Sequence, residues 1–282
     1  MSDARKIEVD TRAAATDGGP PRILVTNDDG IESPGLRRLA TELAGEHDVI
    51  VVAPASDMSG SGTGIGRLDA ADPVALTRAD FDGVEAYAVA GPPGLAVMSA
   101  ALGAFGAPPD LVVSGVNAGM NTGHSIIHSG TVGAVLTART FGSHGLAVSL
   151  APSDTWQWET AVEVAKSAAR WVLDQRGSRV VLNVNVPAVP IDQVRGIRWA
   201  DLDGFGYFRV AMLDVKDEKL EFEVAGSASG LDPACDTALC FNHYVTLTPL
   251  SAIEPPPFPP IPPEAVWNKE RASVGSWRSE GR

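Results

Sequence analysis

Short runs of apolar, β-prone residues recur along the chain, each stopped by a polar or glycine-rich break. Ile23-Leu24-Val25 ends at Asn27-Asp28-Asp29-Gly30. Val49-Ile50-Val51-Val52-Ala53 ends at Pro54 and leads into Ser59-Gly60-Ser61-Gly62-Thr63-Gly64. Leu111-Val112-Val113 stops at Ser114-Gly115, with Asn117 just beyond, and Leu146-Ala147-Val148 and Val180-Val181-Leu182-Asn183-Val184 follow. Runs without polar alternation predict strands covered on both faces. Between them the apolar spacing becomes helical. Ser33 and Pro34 read as N-cap and first helical position before Leu36, Leu39 and Leu43. Thr160 to Val172 repeats apolar residues at Val162, Ala165, Ala169 and Val172. Strands alternating with helices predict a doubly wound, mostly parallel α/β sheet with helices on both faces.

The pattern loosens after Pro187. Leu220-Glu221-Phe222-Glu223-Val224 and Tyr244-Val245-Thr246-Leu247-Thr248 alternate as half-exposed strands. They predict an antiparallel extension of the main sheet over 188–253. Seven of the nine residues from Pro255 to Pro263 are proline, which predicts an extended, polyproline-like segment. The expected organisation is therefore a flexible arm (1–21), an α/β core (22–187), a β extension of the same domain (188–253) and a Pro-rich tail (254–282).

Composition narrows the function. With 35 acidic against 22 basic residues the net charge is −13, which argues against broad electrostatic binding to nucleic acid or an anionic membrane. No apolar run reaches the roughly 20 residues of a membrane span, and the first residues lack a hydrophobic stretch suited to secretion. Two cysteines, Cys235 and Cys240, exclude a disulfide scaffold and point to a reducing, cytoplasmic setting. A phosphorylated small molecule remains compatible with the charge if a cation is supplied locally.

The sharpest chemical feature is Asp28-Asp29 at a strand exit. Neighbours on a regular strand point to opposite faces, so the pair shares a site only where the chain turns, and Gly30 permits that turn. A hard divalent cation would convert their repulsion into attraction; equally, an Asp-Gly turn capping the next helix accounts for the pair. Ser59 lies in a loop whose hydroxyl or amides suit a metal or an anion, or which is merely flexible. Asn117 offers an amide oxygen to a hard cation or fills a loop conformation. Ser129-Gly130-Thr131 opens a small-residue helix whose amides and hydroxyls would cradle an anion without Lys, or form an ordinary cap. Asp28-Asp29, Ser59 and Asn117 leave three separate strand ends, where doubly wound sheets bind ligands. The sequence has no P-loop, no dinucleotide fingerprint and no nucleophile elbow, and His124 and His128 lack the context of a zinc pair.

In order along residues 22–250, these segments resemble the SurE family of metal-dependent nucleotidases. The likeness is carried by Ile23–Ile31, Val51-Val52-Ala53-Pro54 with Ser59-Gly60, Leu111–Gly119, Ser129–Val132, Leu146–Leu150, Leu182–Pro187 and Val245–Leu250. It implies a Rossmann-like three-layer α/β/α sandwich and one divalent cation, Mg²⁺ or Mn²⁺. It also implies hydrolysis of nucleoside 5′- or 3′-monophosphates by metal-activated water, and assembly as a homodimer or homotetramer. By position, Asp28, Asp29, Ser59 and Asn117 correspond to metal ligands, and the two Asp to the catalytic pair. Ser129, Gly130 and Thr131, with Asn117, correspond to the phosphate site. A phosphatase for a single non-nucleotide metabolite and a non-catalytic nucleotide-binding protein are the alternatives on the same scaffold.

Overall fold

The computed structural model describes residues 19–251 apart from 176, 178, 207, 217–218 and 227–230. Its elements run β1 (Arg22–Thr26), α1 (Pro34–Ala44), β2 (Asp48–Pro54), β3 (Leu76–Ala79), β4 (Glu85–Val89), α2 (Pro93–Ala101), β5 (Leu111–Ala118), α3 (Gly130–Thr140), β6 (His144–Leu150) and α4 (Trp158–Leu173). Then come β7 (Val181–Val186), β8 (Gly196–Trp199), β9 (Phe208–Lys216), β10 (Lys219–Gly226), α5 (Asp236–Phe241) and β11 (Tyr244–Pro249). Single 3-10 turns occupy His124–His128 and Ile191–Gln193.

Nine strands form one sheet in the order β3-β4-β2-β1-β5-β6-β7-β11-β8. The six from β4 to β7 are parallel to their neighbours, β3 is antiparallel on one edge, and β11 is antiparallel to β7. The α/β fold expected from the alternating pattern is therefore present. Side-chain alternation along the strands builds its three layers. On β1, Ile23 and Val25 pack toward α1 and α4 with Leu36, Leu39, Ala161 and Ala165. Leu24, on the opposite face, joins Ile50 and Val52 against Leu95 and Val97 of α2 and Ala134 and Ala138 of α3. Ser33 is the N-cap residue of α1, but its side chain makes no capping hydrogen bond.

Strand order reverses beside β1: the chain leaves β1 for β2 on one side, and β5 returns on the other. The crevice beyond such strand ends is where doubly wound sheets place ligands. β5 reaches further than its apolar run suggested, to Ala118, with a register irregularity against β6 between Ser114 and Asn117. An irregularity of this kind re-aims the side chains that follow it.

The C-terminal strands divide. β11 and β8 extend the main sheet, β8 running parallel to β11. β10 pairs with β9 in a separate two-stranded sheet rather than with the main one. Its alternating pattern identified a strand but not its partner, since any half-covered antiparallel pairing shows the same alternation. Both cysteines are free and buried. The Pro-rich segment, and the arm up to residue 18, lie outside the described residues.

One buried carboxylate fastens the C-terminal part to the core. Asp236, wholly buried, accepts the amides of Gly123 at 2.9 Å, Asp203 at 3.0 Å and Thr237 at 2.8 Å. Asp236→Ala strands these donors, so it should lower stability by about 3 kcal/mol, read as a fall in the urea midpoint; an unchanged midpoint would contradict this account.

Candidate active site

The turn after β1 is closed by Asn27, whose Nδ2 donates to the Gly30 carbonyl at 3.0 Å, with Gly30 at φ +99°. The loop after β2 is tied to this turn: the Met58 amide donates to the Asp28 carbonyl at 2.7 Å and Ile31 donates to the Pro54 carbonyl at 2.8 Å. Asp28, Asp29, Ser59, Asn117 and Ser129 thereby line a single cavity of about 710 Å³, bounded also by Asn121, His124 and Phe205. That volume lies inside the roughly 300–1,000 Å³ typical of small-molecule sites.

Asp28 is almost wholly buried at the N-terminus of α3. Thr131 donates its hydroxyl to Asp28 Oδ1, and the same hydroxyl oxygen lies 3.3 Å from Asn117 Oδ1. Asn117 is oriented by its own amide, which donates to the Gly119 carbonyl at 2.8 Å. Burial raises the Asp28 pKa, and the Thr131 hydroxyl with the amides of Thr131 and Gly130 works against that rise. The approach requires glycine at position 130, because a Cβ there would meet Asp28 Cβ at 2.7 Å and Asp28 Oδ2 at 2.8 Å.

Asp29 is less well served. Burial, then the neighbouring charge of Asp28, pushes its pKa up to about 6, against support from the Ala118 amide and with a smaller upward push from Asp57. Its Oδ2 is buried without a hydrogen-bond partner. Ser59 is organised differently: its amide and its hydroxyl both donate to Asp57 Oδ1, at 2.8 and 2.6 Å. With the proton directed to Asp57, the Ser59 oxygen keeps its lone pairs for another partner.

The structure thus gathers Asp28, Asp29, Ser59, Asn117 and Ser129 around one cavity. Gly130 and Thr131 sit beneath it: both are buried, and the donors the sequence suggested were free for an anion are turned on Asp28. Ser129 caps α3, its hydroxyl accepting from the Val132 amide at 3.2 Å. His124 and His128 are wall residues.

Three features escaped the sequence reading. Asp57 directs Ser59. Phe205 supplies an aromatic wall from a turn outside the strand ends. The floor depends on Asn183 and Asn185 of β7, wholly buried, whose amides donate to the Asn121 carbonyl at 2.9 and 2.8 Å. Asn185 Oδ1 takes the Asn121 amide at 2.8 Å, and the Asn121 side chain donates to Ser149 Oγ at 2.8 Å. A signal for this floor was visible: two asparagines within the apolar run Leu182–Val186 of a core strand.

Among the described residues no three His, Cys, Asp or Glu side chains gather as a metal cluster. The donors at hand are instead two carboxylates, a hydroxyl and an amide, all oxygen, including one buried oxygen without a partner. That chemistry fits a hard divalent cation such as Mg²⁺ or Mn²⁺.

Fold and cavity together define an α/β protein with an acidic, oxygen-lined ligand site at the carboxyl ends of its central strands. A family model described as Survival protein SurE matches residues 23–207. Curated relatives include the 5'-nucleotidase SurE of Synechococcus sp. (strain RCC307), 36% identical, with 82% of this chain and 88% of that protein covered. The 5'-nucleotidase SurE of Syntrophobacter fumaroxidans is 34% identical, with 81% and 92% covered. The crystal structure of the SurE protein from Aquifex aeolicus superposes with a TM-score of 0.70 at 27% identity, with 82% of this chain and 93% of that chain covered. The chain belongs to the SurE family.

The strained carboxylate pair has a stability signature. Folding raises the Asp29 pKa from 3.8 to about 6, so the folded state binds the extra proton and loses stability as pH rises through that interval. In chelator, Asp29→Asn should therefore be more stable than the parent by about 3 kcal/mol at about pH 7.5, the gain falling to about 1 kcal/mol near pH 4.5 and vanishing only below the unfolded value of 3.8. Denaturation curves at the two pH values check it; a gain that does not depend on pH would contradict the assignment.

Proposed function

We propose that this protein is a divalent-metal-dependent phosphomonoesterase that hydrolyses nucleoside 5′- or 3′-monophosphates to nucleoside and phosphate. Membership of the SurE family supports the hydrolase class, since its curated relatives are named 5'-nucleotidases. The observation that carries the reading is the buried, partnerless Oδ2 of Asp29 beside Asp28, an arrangement that is costly without a cation.

In this reading Asp28, Asp29, Ser59 and Asn117 hold the cation. Bound there, Mg²⁺ or Mn²⁺ would offset the carboxylate and phosphate charges, polarise a phosphoryl oxygen and activate water. Asp28, oriented by the Thr131 hydroxyl, positions the attacking water and takes its proton. Asn117 and Ser129 contact phosphoryl oxygens from the cavity wall. Gly130 and Thr131 act through the positive N-terminal end of α3, which favours the anion as it favours Asp28. The chain's net charge of −13 is no obstacle, because the attraction is local.

The division into an arm (1–21), core (22–187), β extension (188–253) and tail (254–282) is part of the same proposal, as are a cytoplasmic setting and a homodimer or homotetramer. Association through the β extension is supported by edge strand β8, where Ile197 and Trp199 are 53% and 58% exposed.

Phosphate release from a panel of nucleoside monophosphates, with Mg²⁺, Mn²⁺ or chelator, tests the reading. Turnover should need the metal, and Asp28→Asn should lower kcat by about 10²–10⁴-fold with its circular dichroism unchanged. Full turnover in chelator, or near-normal hydrolysis by that variant, would defeat it.

A further inference from the structure

Among the cavity's side chains that the proposed phosphate chemistry does not use is an aromatic ring. Phe205 is 62% exposed, yet it lines the same cavity as Asp28 and Asp29. It is the only Phe, Tyr or Trp among the cavity's described lining residues. A single exposed phenylalanine on a protein surface needs no explanation. This one differs because its backbone is fastened from both sides.

The Asp203 carboxylate accepts the amides of Phe205 at 3.4 Å and Gly206 at 2.9 Å, closing the turn on itself. The turn is then docked on the 3-10 segment: His124 donates to the Asp203 carbonyl and Ser125 to the Phe205 carbonyl, each at 3.1 Å. Buried Asp236 locks the two strands of this junction by taking the amides of Gly123 and Asp203. Six backbone amides are thus committed to holding a turn whose exposed product is an aromatic residue lining a cavity. A phosphoryl group fills only a small part of about 710 Å³, so the remainder is available to the alcohol half of the ester.

We propose that Phe205 is the platform on which the substrate's base stacks, which makes it a specificity residue favouring nucleotides over phosphoesters that lack an aromatic group. The proposal rests on the phosphatase reading above and adds the substrate contact that reading lacks. Stacking on a ring face is tolerant of base identity, since every base presents a π-face, so the site accepts purines and pyrimidines alike.

The test compares kcat and KM of the full chain, Phe205→Ala and Phe205→Tyr on adenosine 5′-monophosphate and on ribose 5-phosphate, with Mg²⁺ or Mn²⁺. In Phe205→Ala the ratio of kcat/KM for the nucleotide to that for the sugar phosphate should fall about tenfold, mainly through a higher KM for the nucleotide. Phe205→Tyr, which keeps the ring, should restore most of the ratio. An unchanged ratio in Phe205→Ala, or a tyrosine variant as impaired as the alanine one, overturns the platform while leaving the phosphatase reading standing. A parent chain that releases phosphate from neither compound overturns that reading, and the platform with it.

Discussion

Everything at this site follows from two adjacent carboxylates being taken out of water together. Unit charges about 4 Å apart repel by roughly 4 kcal/mol at an effective dielectric near 20, and burial penalises each of them as well. The fold answers unequally. Asp28 receives the Thr131 hydroxyl and the first amides of α3, whereas Asp29 has the Ala118 amide and an oxygen with no partner. One carboxylate is well served by protein donors, and the other keeps a buried oxygen with no hydrogen-bond partner. The glycine at 130 is part of the same arrangement, since any side chain there would push α3 off Asp28.

Much of this was legible in the residues. The unbroken apolar runs identified β1, β2, β5, β6 and β7, because strands covered on both faces have no polar alternation to confuse them with surface elements. Once those strands were parallel, their polar exits had to lie at one edge, which is why Asp28, Asp29, Ser59 and Asn117 converge. Less legible were the sheet's margins. β3 and β4 run through Leu76-Thr77-Arg78-Ala79 and Glu85-Ala86-Tyr87-Ala88-Val89, whose mixed composition reflects partial exposure, and neither carries a strong period. The α2 segment, Pro93–Ala101, is short and apolar nearly all round, so it shows no amphipathic stripe.

The direction in which a donor points is a different kind of information. Ser129-Gly130-Thr131 reads as a helix start with donors to spare, and it is one. Which anion those donors serve depends on where β1 ends relative to α3, a long-range fact that no local pattern carries. Asp57 poses the same problem: it is unremarkable in sequence, yet it takes both the amide and the hydroxyl of Ser59 and so decides which way that oxygen faces. The Phe205 wall is more distant still, since its placement depends on Asp236, a buried residue over thirty positions further along the chain.

These two halves of the cavity are held by separate sets of groups, and that separation has a consequence for the proposed reaction. The acidic end is electrostatic: its geometry is held by charge-assisted hydrogen bonds to Asp28, and its balance changes with protonation and with any cation present. The aromatic wall is held by backbone hydrogen bonds and by two other carboxylates, Asp203 and Asp236, which take the amides of Phe205, Gly206, Gly123, Asp203 and Thr237 and the Thr237 hydroxyl. Charge neutralisation at Asp28 and Asp29 therefore alters one end without reaching into the fastenings of the other. A cavity divided this way can hold the phosphoryl group by a strong, directional and cation-dependent interaction, while the remainder of the ester is judged by shape and ring contact alone. Selectivity among leaving groups is then free to change at the turn around residue 205 without disturbing the carboxylate pair on which the proposed chemistry depends.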